Sequence, residues 1–147
     1  MRLTQRADYA LRVLMLLAVE EGPRTAAEMA AMLGVSEHHL AKIAKDLRAR
    51  GHLETRRGRG GGFRLARSPA DITVGGVVRE LEDLTIVECF DPGQSRCPLA
   101  GPCALQGALA EARDAFLDVL DGYSLADLVA PRRALSRLLR LSRVEVR

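Results

Sequence analysis

Two short helices with clear start signals, joined by a tight turn, constrain the fold of this chain more than any other feature. The first begins after Thr25, with Glu28 three residues later as the partner of a capping box, and it ends at Gly34. The second begins after Ser36 in the same way and runs to Arg50. A pair of helices separated by a glycine-containing turn is the pattern of a helix-turn-helix, so the sequence predicts this motif. An amphipathic helix is predicted before it, over residues 4–20.

The second helix of the pair has one apolar face and one polar face. Its apolar positions recur at helical spacing and predict the buried face: Leu40, Ile43, Ala44 and Leu47. In a helix-turn-helix, the second helix reads the major groove of DNA. The polar positions are therefore candidates for contacts to bases and phosphates. They are Ser36, His38, His39, Lys42 and Lys45.

A glycine-rich hairpin is predicted directly after the second helix. Residues 53–56 and 63–66 are typical of two short strands, and the segment RRGRGGG between them is typical of their turn. A hairpin in this place is the wing of a winged helix. Arginine on a thin, flexible hairpin suits the narrow and negative minor groove, so Arg57 and Arg59 are the candidate wing contacts. A flexible linker is the alternative, although linkers are rarely so rich in arginine.

The charges of the chain are divided along its length. Residues 1–70 carry 13 basic and 7 acidic side chains, residues 71–129 carry 3 and 11, and residues 130–147 carry 6 and 1. Nine of the basic residues in the first part fall between Lys42 and Arg67. This pattern indicates that the first part of the chain meets a polyanion.

The remaining sequence predicts a mainly α fold in three parts. These are a winged helix-turn-helix DNA-binding domain over residues 1–70, a cysteine loop with a long helix over residues 71–130, and a basic tail over residues 131–147. The long helix carries a narrow apolar seam at offsets of three and four. The seam consists of Leu105, Ala108, Leu109, Ala112, Phe116, Val119 and Leu120. Because so narrow a seam suits packing against one partner helix, we expect a dimerisation helix, with an intramolecular core helix as the alternative.

The sequence does not predict a membrane protein. No apolar run is long enough to span a bilayer, and the opening MRLTQRADYALR lacks the apolar core of a signal peptide. We therefore expect a cytoplasmic protein. A reducing compartment favours metal or catalytic use of clustered cysteines over a structural disulfide.

All three cysteines lie within fifteen residues, as Cys89, Cys97 and Cys103 in the spacing C-x7-C-x5-C. A structural zinc site would need closer cysteine pairs and four ligands. A catalytic thiol needs a base, but every histidine lies in the predicted DNA-reading part, so we expect no enzyme. Iron–sulfur clusters are held mainly by thiolates, which makes such a cluster a candidate. A redox disulfide with a spare thiol is the alternative.

The order of these motifs resembles one known family. Four motifs carry this resemblance: the opening MRLTQRADYALRVLMLLA, the wing RRGRGGGFRLA, the segment ECFDPGQSRCPLAGPC and a long helix ending near SLADLV. They are similar to the iron–sulfur transcriptional repressors that include the nitric-oxide sensor NsrR and the cluster-assembly regulator IscR. The resemblance covers residues 1–129. It implies a homodimer on a palindromic double-stranded DNA operator, with an iron–sulfur cluster bound by Cys89, Cys97 and Cys103 of each subunit.

Two branches of this family differ in the ligand that completes the cluster. The IscR-like pattern has a histidine three residues after the last cysteine, where this chain has Gln106. The NsrR-like pattern is a 4Fe–4S cluster with an oxygen ligand from the first helix of the other subunit, and the resemblance places Asp8 in that role. Taken without the resemblance, Asp8 is expected to pair with Arg12, four residues on.

The resemblance implies a repressor that leaves its operator when nitric oxide reacts with the cluster. Two other functions stay open at this point. One is a redox or iron-status sensor of the same fold with a 2Fe–2S cluster. The other is a cluster-free repressor that is switched by oxidation of its thiols.

Overall fold

The computed structural model describes residues 2–91, 93, 95–99 and 101–145, with the backbone only for residues 140–145. This part of the chain contains seven α-helices and one two-stranded sheet, which confirms the prediction of a mainly α fold. In chain order the elements are α1 (Gln5–Val19), α2 (Ala26–Leu33), α3 (Glu37–Ala49), β1 (Leu53–Arg56), β2 (Gly62–Leu65), α4 (Val74–Leu81), α5 (Ala104–Asp121), α6 (Leu125–Leu128) and α7 (Arg132–Glu145).

The helices of the winged helix begin at the residues that the sequence predicts as caps. The Thr25 side chain accepts a hydrogen bond from the Glu28 backbone, and the Glu28 carboxylate accepts one from the Thr25 backbone at 2.7 Å. Gly34 ends α2 in the left-handed conformation, with a φ of 66° that favours glycine. Ser36 then caps α3, so α2 and α3 form the predicted helix-turn-helix.

One hydrophobic core joins the first and second parts of the chain. It is built mainly from α1, α2 and α3, and it also includes Val77 and Leu81 of α4 and Leu125 of α6. Packing is therefore continuous across residue 70. The division of the chain at residues 70 and 130 stays a prediction about function.

A second, smaller cluster packs α5 onto α4. Leu117 of α5 is buried there against Val74 and Val78. The helices approach so closely that a Cβ atom on Gly75 would lie 2.1 Å from Oδ1 of Asp121 and 2.9 Å from its backbone nitrogen. This close approach therefore explains Gly75 at the start of α4, although glycine weakens the helix propensity there.

The basic tail is helical as far as Glu145 and returns to the core as α7. Leu139 of α7 packs against the main core, and α7 contacts α1 and α2. Among the residues that the structure describes, none of the helices combines the length and the apolar character that crossing a membrane requires.

Candidate nucleic-acid interface and cysteine site

The predicted recognition helix, α3, presents its polar face to solvent. Its apolar residues Leu40, Ile43, Ala44 and Leu47 are all buried in the core. The Ser36 side chain accepts a hydrogen bond from the His39 backbone at 3.3 Å. The predicted contact residues of this helix are all exposed, and they are Ser36, His38, His39, Lys42 and Lys45.

Two contacts hold α3 against α1. The ring of His39 meets the ring of Tyr9 edge-on, with 6.0 Å between centroids and an interplanar angle of 83°. Further along, Asp46 accepts hydrogen bonds from Arg6 at 2.9 Å and from Arg50 at 3.0 Å. Burial raises the pKa of Asp46, but the hydrogen bonds and charges of the two arginines lower it by more. The net result is a pKa below the usual value.

The wing is an antiparallel hairpin anchored to the start of α2. β1 pairs with β2, and the exposed tip carries Arg57 and Arg59. Phe63 exchanges two backbone hydrogen bonds with Arg24, at 2.7 and 2.9 Å. A Cβ atom on Gly62 would come within 2.5 Å of the Arg24 carbonyl, so this docking requires glycine. The base of the wing is therefore joined by backbone hydrogen bonds to the residue that precedes the cap of α2.

The cysteine segment leads from α4 to the first turn of α5. The three thiols, on Cys89, Cys97 and Cys103, are free and half-buried. Cys89 and Cys103 line one cavity of about 500 Å³, whereas Cys97 is not among the described residues on its wall. Within the described residues, no group of three histidine, cysteine or acidic side chains is close enough to hold a metal ion. The structure thus brings two of the three predicted sulfur ligands together.

Gln106 lies at the position where the IscR-like pattern has a histidine, and it takes part in this arrangement. Its side-chain amide donates a hydrogen bond to the Cys89 carbonyl at 3.1 Å and lines the same cavity. Among the other lining residues, the Arg113 guanidinium lies over the Phe90 ring, 4.9 Å from its centroid. Gln106 therefore ties the beginning of the cysteine segment to the helix that follows its end.

Asp8 lies on α1 and pairs with Arg12, as expected from their spacing. Its two carboxylate oxygens meet the Arg12 guanidinium at 3.0 and 2.8 Å. The Asp8 side chain remains 43% exposed. The same Arg12 guanidinium lies 5.7 Å from the centroid of the Tyr9 ring. Contacts therefore run from Asp8 through Arg12 and Tyr9 to His39 on α3.

The predicted seam of α5 divides between two faces. Phe116 and Leu120 turn towards α4 and are half-buried in the smaller cluster. Within α5, all of which is described, only Leu117 is buried. Leu109 of the seam is also half-buried. The other seam residues are exposed, and with Ala115 they form a row at offsets of three and four: Leu105, Ala108, Ala112, Ala115 and Val119. We call this row the α5 outer face.

Several known proteins are similar to this chain over nearly its whole length. The HTH-type transcriptional regulator NsrR of Geobacillus kaustophilus is 49% identical over 143 residues, which cover 95% of this chain and 97% of the relative. The solved structure of CymR, the global cysteine regulator of Bacillus subtilis, matches with a TM-score of 0.73 and 29% identity, over 88% of this chain and 97% of that one. The structure of T. potens IscR also matches with a TM-score of 0.73, at 26% identity, over 89% of this chain and 88% of that one.

These similarities confirm the winged-helix fold and the prediction that the protein is a DNA-binding transcriptional regulator and not an enzyme. A family model described as Rrf2, iron-dependent transcriptional regulator, matches residues 3–131, which end just before α7. The chain therefore belongs to the Rrf2 family of transcriptional regulators.

Proposed function

We propose that the protein is a dimeric repressor whose affinity for its operator is set by an iron–sulfur cluster on Cys89, Cys97 and Cys103. The observation that carries the proposal is the cysteine segment itself. It holds three free, half-buried thiols, and two of them line one cavity next to the first turn of α5. Thiolates are the usual ligands of such clusters. The similarity to a regulator named NsrR supports the same reading.

The residues present fit this group in their chemistry and in the space around them. The donors are soft sulfur atoms, as iron–sulfur chemistry requires, and the cavity beside Cys89 and Cys103 measures about 500 Å³. Cys97 follows a stretch of the loop that is partly outside the described residues. We assign Cys97 to the donor set because of its chemistry and its place in the segment.

When bound, a 4Fe–4S cluster supplies an iron centre that can react with nitric oxide, and we propose nitric oxide as the signal. The three thiolates leave one iron for a harder ligand, and we propose the partner's Asp8 for it. An exposed carboxylate on α1 is available for this role, although it is held in the same subunit by Arg12. Because both carboxylate oxygens of Asp8 contact Arg12, iron binding through either oxygen would replace at least one of these two contacts.

The contacts of Arg12 offer a route from this choice of partner to the DNA-reading helix. Arg12 lies over Tyr9, and Tyr9 meets His39, which stands in the first turn of α3. When Asp8 leaves Arg12 or pairs with it again, the net charge next to the Tyr9 ring changes. Because recognition helices contact bases with their N-terminal residues, even a small shift of His39 affects binding.

The α5 outer face supports the dimer. It is an apolar row on a helix of 18 residues, and a second copy of the same row would cover it in a twofold pair. A twofold dimer places its two recognition helices about one turn of DNA apart, roughly 34 Å, and so reads a palindromic operator. In this arrangement we propose that α3 contacts the major groove and that Arg57 and Arg59 reach the minor groove.

One observation favours a second candidate function. Because Cys89 and Cys103 line the same cavity, without Cys97 among its described lining residues, a disulfide switch in a cluster-free repressor is the main competitor. Protein prepared without oxygen distinguishes the two. A colourless, iron-free protein that binds its operator fully only when reduced would favour the disulfide. Iron and sulfide counts per subunit separate the 4Fe–4S proposal from a 2Fe–2S sensor of redox or iron status.

The proposal is tested with an operator duplex selected from a random-sequence pool by the cluster-loaded protein. Fluorescence anisotropy measures its Kd at fixed salt, before and after anaerobic addition of nitric oxide. We expect a rise of roughly 5-fold to 150-fold, the usual range of coupling between two sites. An unchanged Kd in protein that has demonstrably reacted would refute nitric oxide as the signal.

A further inference from the structure

A histidine in the core of the winged helix has no role in the function proposed so far. His52 follows α3 directly and is only 2% exposed, which makes it the one buried polar or charged residue among those the structure describes. Its backbone nitrogen donates to the Leu47 carbonyl, and its own carbonyl accepts from Ala66, both at 2.9 Å. His52 is therefore part of the base of the wing.

Both ring nitrogens of His52 have partners from different elements. Nε2 lies 2.8 Å from a carboxylate oxygen of Glu80 on α4, and Nδ1 lies 2.8 Å from a guanidinium nitrogen of Arg67, just after β2. A guanidinium can only donate hydrogen bonds, so Nδ1 must be the acceptor. Nε2 then carries the proton and donates to Glu80. The pattern specifies one neutral tautomer and one ring orientation.

This arrangement joins two parts of the molecule that otherwise meet mainly through apolar packing. On one side are the wing base and Arg67. On the other side is α4, which packs on α5 and leads into the cysteine segment. We propose that Glu80, through His52 and Arg67, positions the wing relative to α4, so that Glu80 is a positioning residue for the wing's contact with DNA. The inference rests on the proposed minor-groove role of Arg59.

Glu80 is the right place to test this inference. Its side chain is 39% exposed, so its removal leaves no cavity in the core, and a change in the wing would follow from the lost hydrogen bond to His52. Removing a negative charge from a DNA-binding protein should, by itself, strengthen binding. Loss of the wing's position should weaken it. The two explanations therefore predict opposite directions.

The experiment measures operator affinity for the full-length protein carrying Glu80→Ala, Glu80→Gln, Arg59→Ala, or Glu80→Ala with Arg59→Ala. We expect Glu80→Ala to weaken binding by roughly 3-fold to 10-fold, the size of effect expected of one partly exposed charged hydrogen bond. Glu80→Gln keeps an acceptor for Nε2 but removes the negative charge, so it should bind at least as tightly as the wild type. In the Arg59→Ala background, Glu80→Ala should cost nothing more, because the wing contact is already lost.

Asp71→Ala is the matched control, since it removes one exposed acidic charge between the wing and α4. Thermal unfolding of each variant checks that the fold is retained. The inference is overturned if Glu80→Ala binds as tightly as the wild type or more tightly, if its effect adds fully to that of Arg59→Ala, or if Glu80→Gln is equally weak. An Arg59→Ala variant with normal affinity would instead refute the proposed role of the wing, and this inference with it.

Discussion

The α5 outer face gives the most direct quantitative prediction of how the protein assembles. Val119 lies near the end of this face and is 62% exposed in the single chain. We predict that Val119→Lys weakens the dimer, because in a twofold pair the same apolar side chain is lost from both subunits.

The size of the effect follows from the exposed area. Complete burial of a valine side chain stabilises by about 1.5–3 kcal/mol, so covering the exposed 62% of Val119 contributes about 1–2 kcal/mol in each subunit. Two copies give about 2–4 kcal/mol per dimer, which corresponds to a dimer Kd roughly 30-fold to 700-fold higher. Desolvation of the two lysines acts in the same direction.

Sedimentation velocity over a dilution series measures this dimer Kd for the wild type and for Val119→Lys. Asp118→Lys is the control, because Asp118 precedes Val119, is exposed, and points about 100° away around the helix. It places the same side chain on α5 outside the apolar row and should leave the dimer Kd nearly unchanged. Equal Kd values for Val119→Lys and the wild type would refute the α5 outer face as the dimer contact.

Two further predictions concern the DNA-reading half. Arg59→Ala should weaken binding to all DNA sequences and reduce the slope of log K against log salt by about 1, as measured by anisotropy at several salt concentrations; an unchanged slope would contradict the phosphate or minor-groove contact. Asp46→Asn should lower the free energy of unfolding by about 1 kcal/mol at pH 7, because its carboxylate holds Arg6 of α1 and Arg50 just after α3. Folding lowers the pKa of Asp46, so this stabilisation is present above the pKa of the unfolded chain and is lost as the pH falls through the folded pKa. Urea unfolding should therefore show the difference from the wild type fading below about pH 4, and a difference that persists in acid would contradict the ion-pair explanation.

Local signals made the winged helix predictable from the sequence. The capping box of Thr25 and Glu28, the left-handed Gly34 and the cap at Ser36 all act within a few residues, and each is found where the sequence predicts it. The strands of the wing follow from the same kind of short-range pattern, and their observed bounds differ by one residue at β2.

Features that depend on distant parts of the chain were not predictable in the same way. The sequence offers no sign that His52 meets Glu80, 28 positions away, or that Gln106 binds the Cys89 carbonyl. Tertiary contacts also decide which face of α5 packs on α4, because the buried Leu117 lies outside the apolar seam that the sequence predicts. The pairing of Asp8 follows from spacing within one subunit, whereas its proposed role as an iron ligand depends on a second subunit.

The central claim, that the cysteine segment holds an iron–sulfur cluster, is tested most directly by counting iron and acid-labile sulfide in protein purified without oxygen. The account predicts a coloured wild type with about four irons and four sulfides per subunit, the composition of a 4Fe–4S cluster, and a Cys97→Ser variant that loses most of both. A wild-type protein free of iron, or a Cys97→Ser variant that retains the full amount, would contradict it.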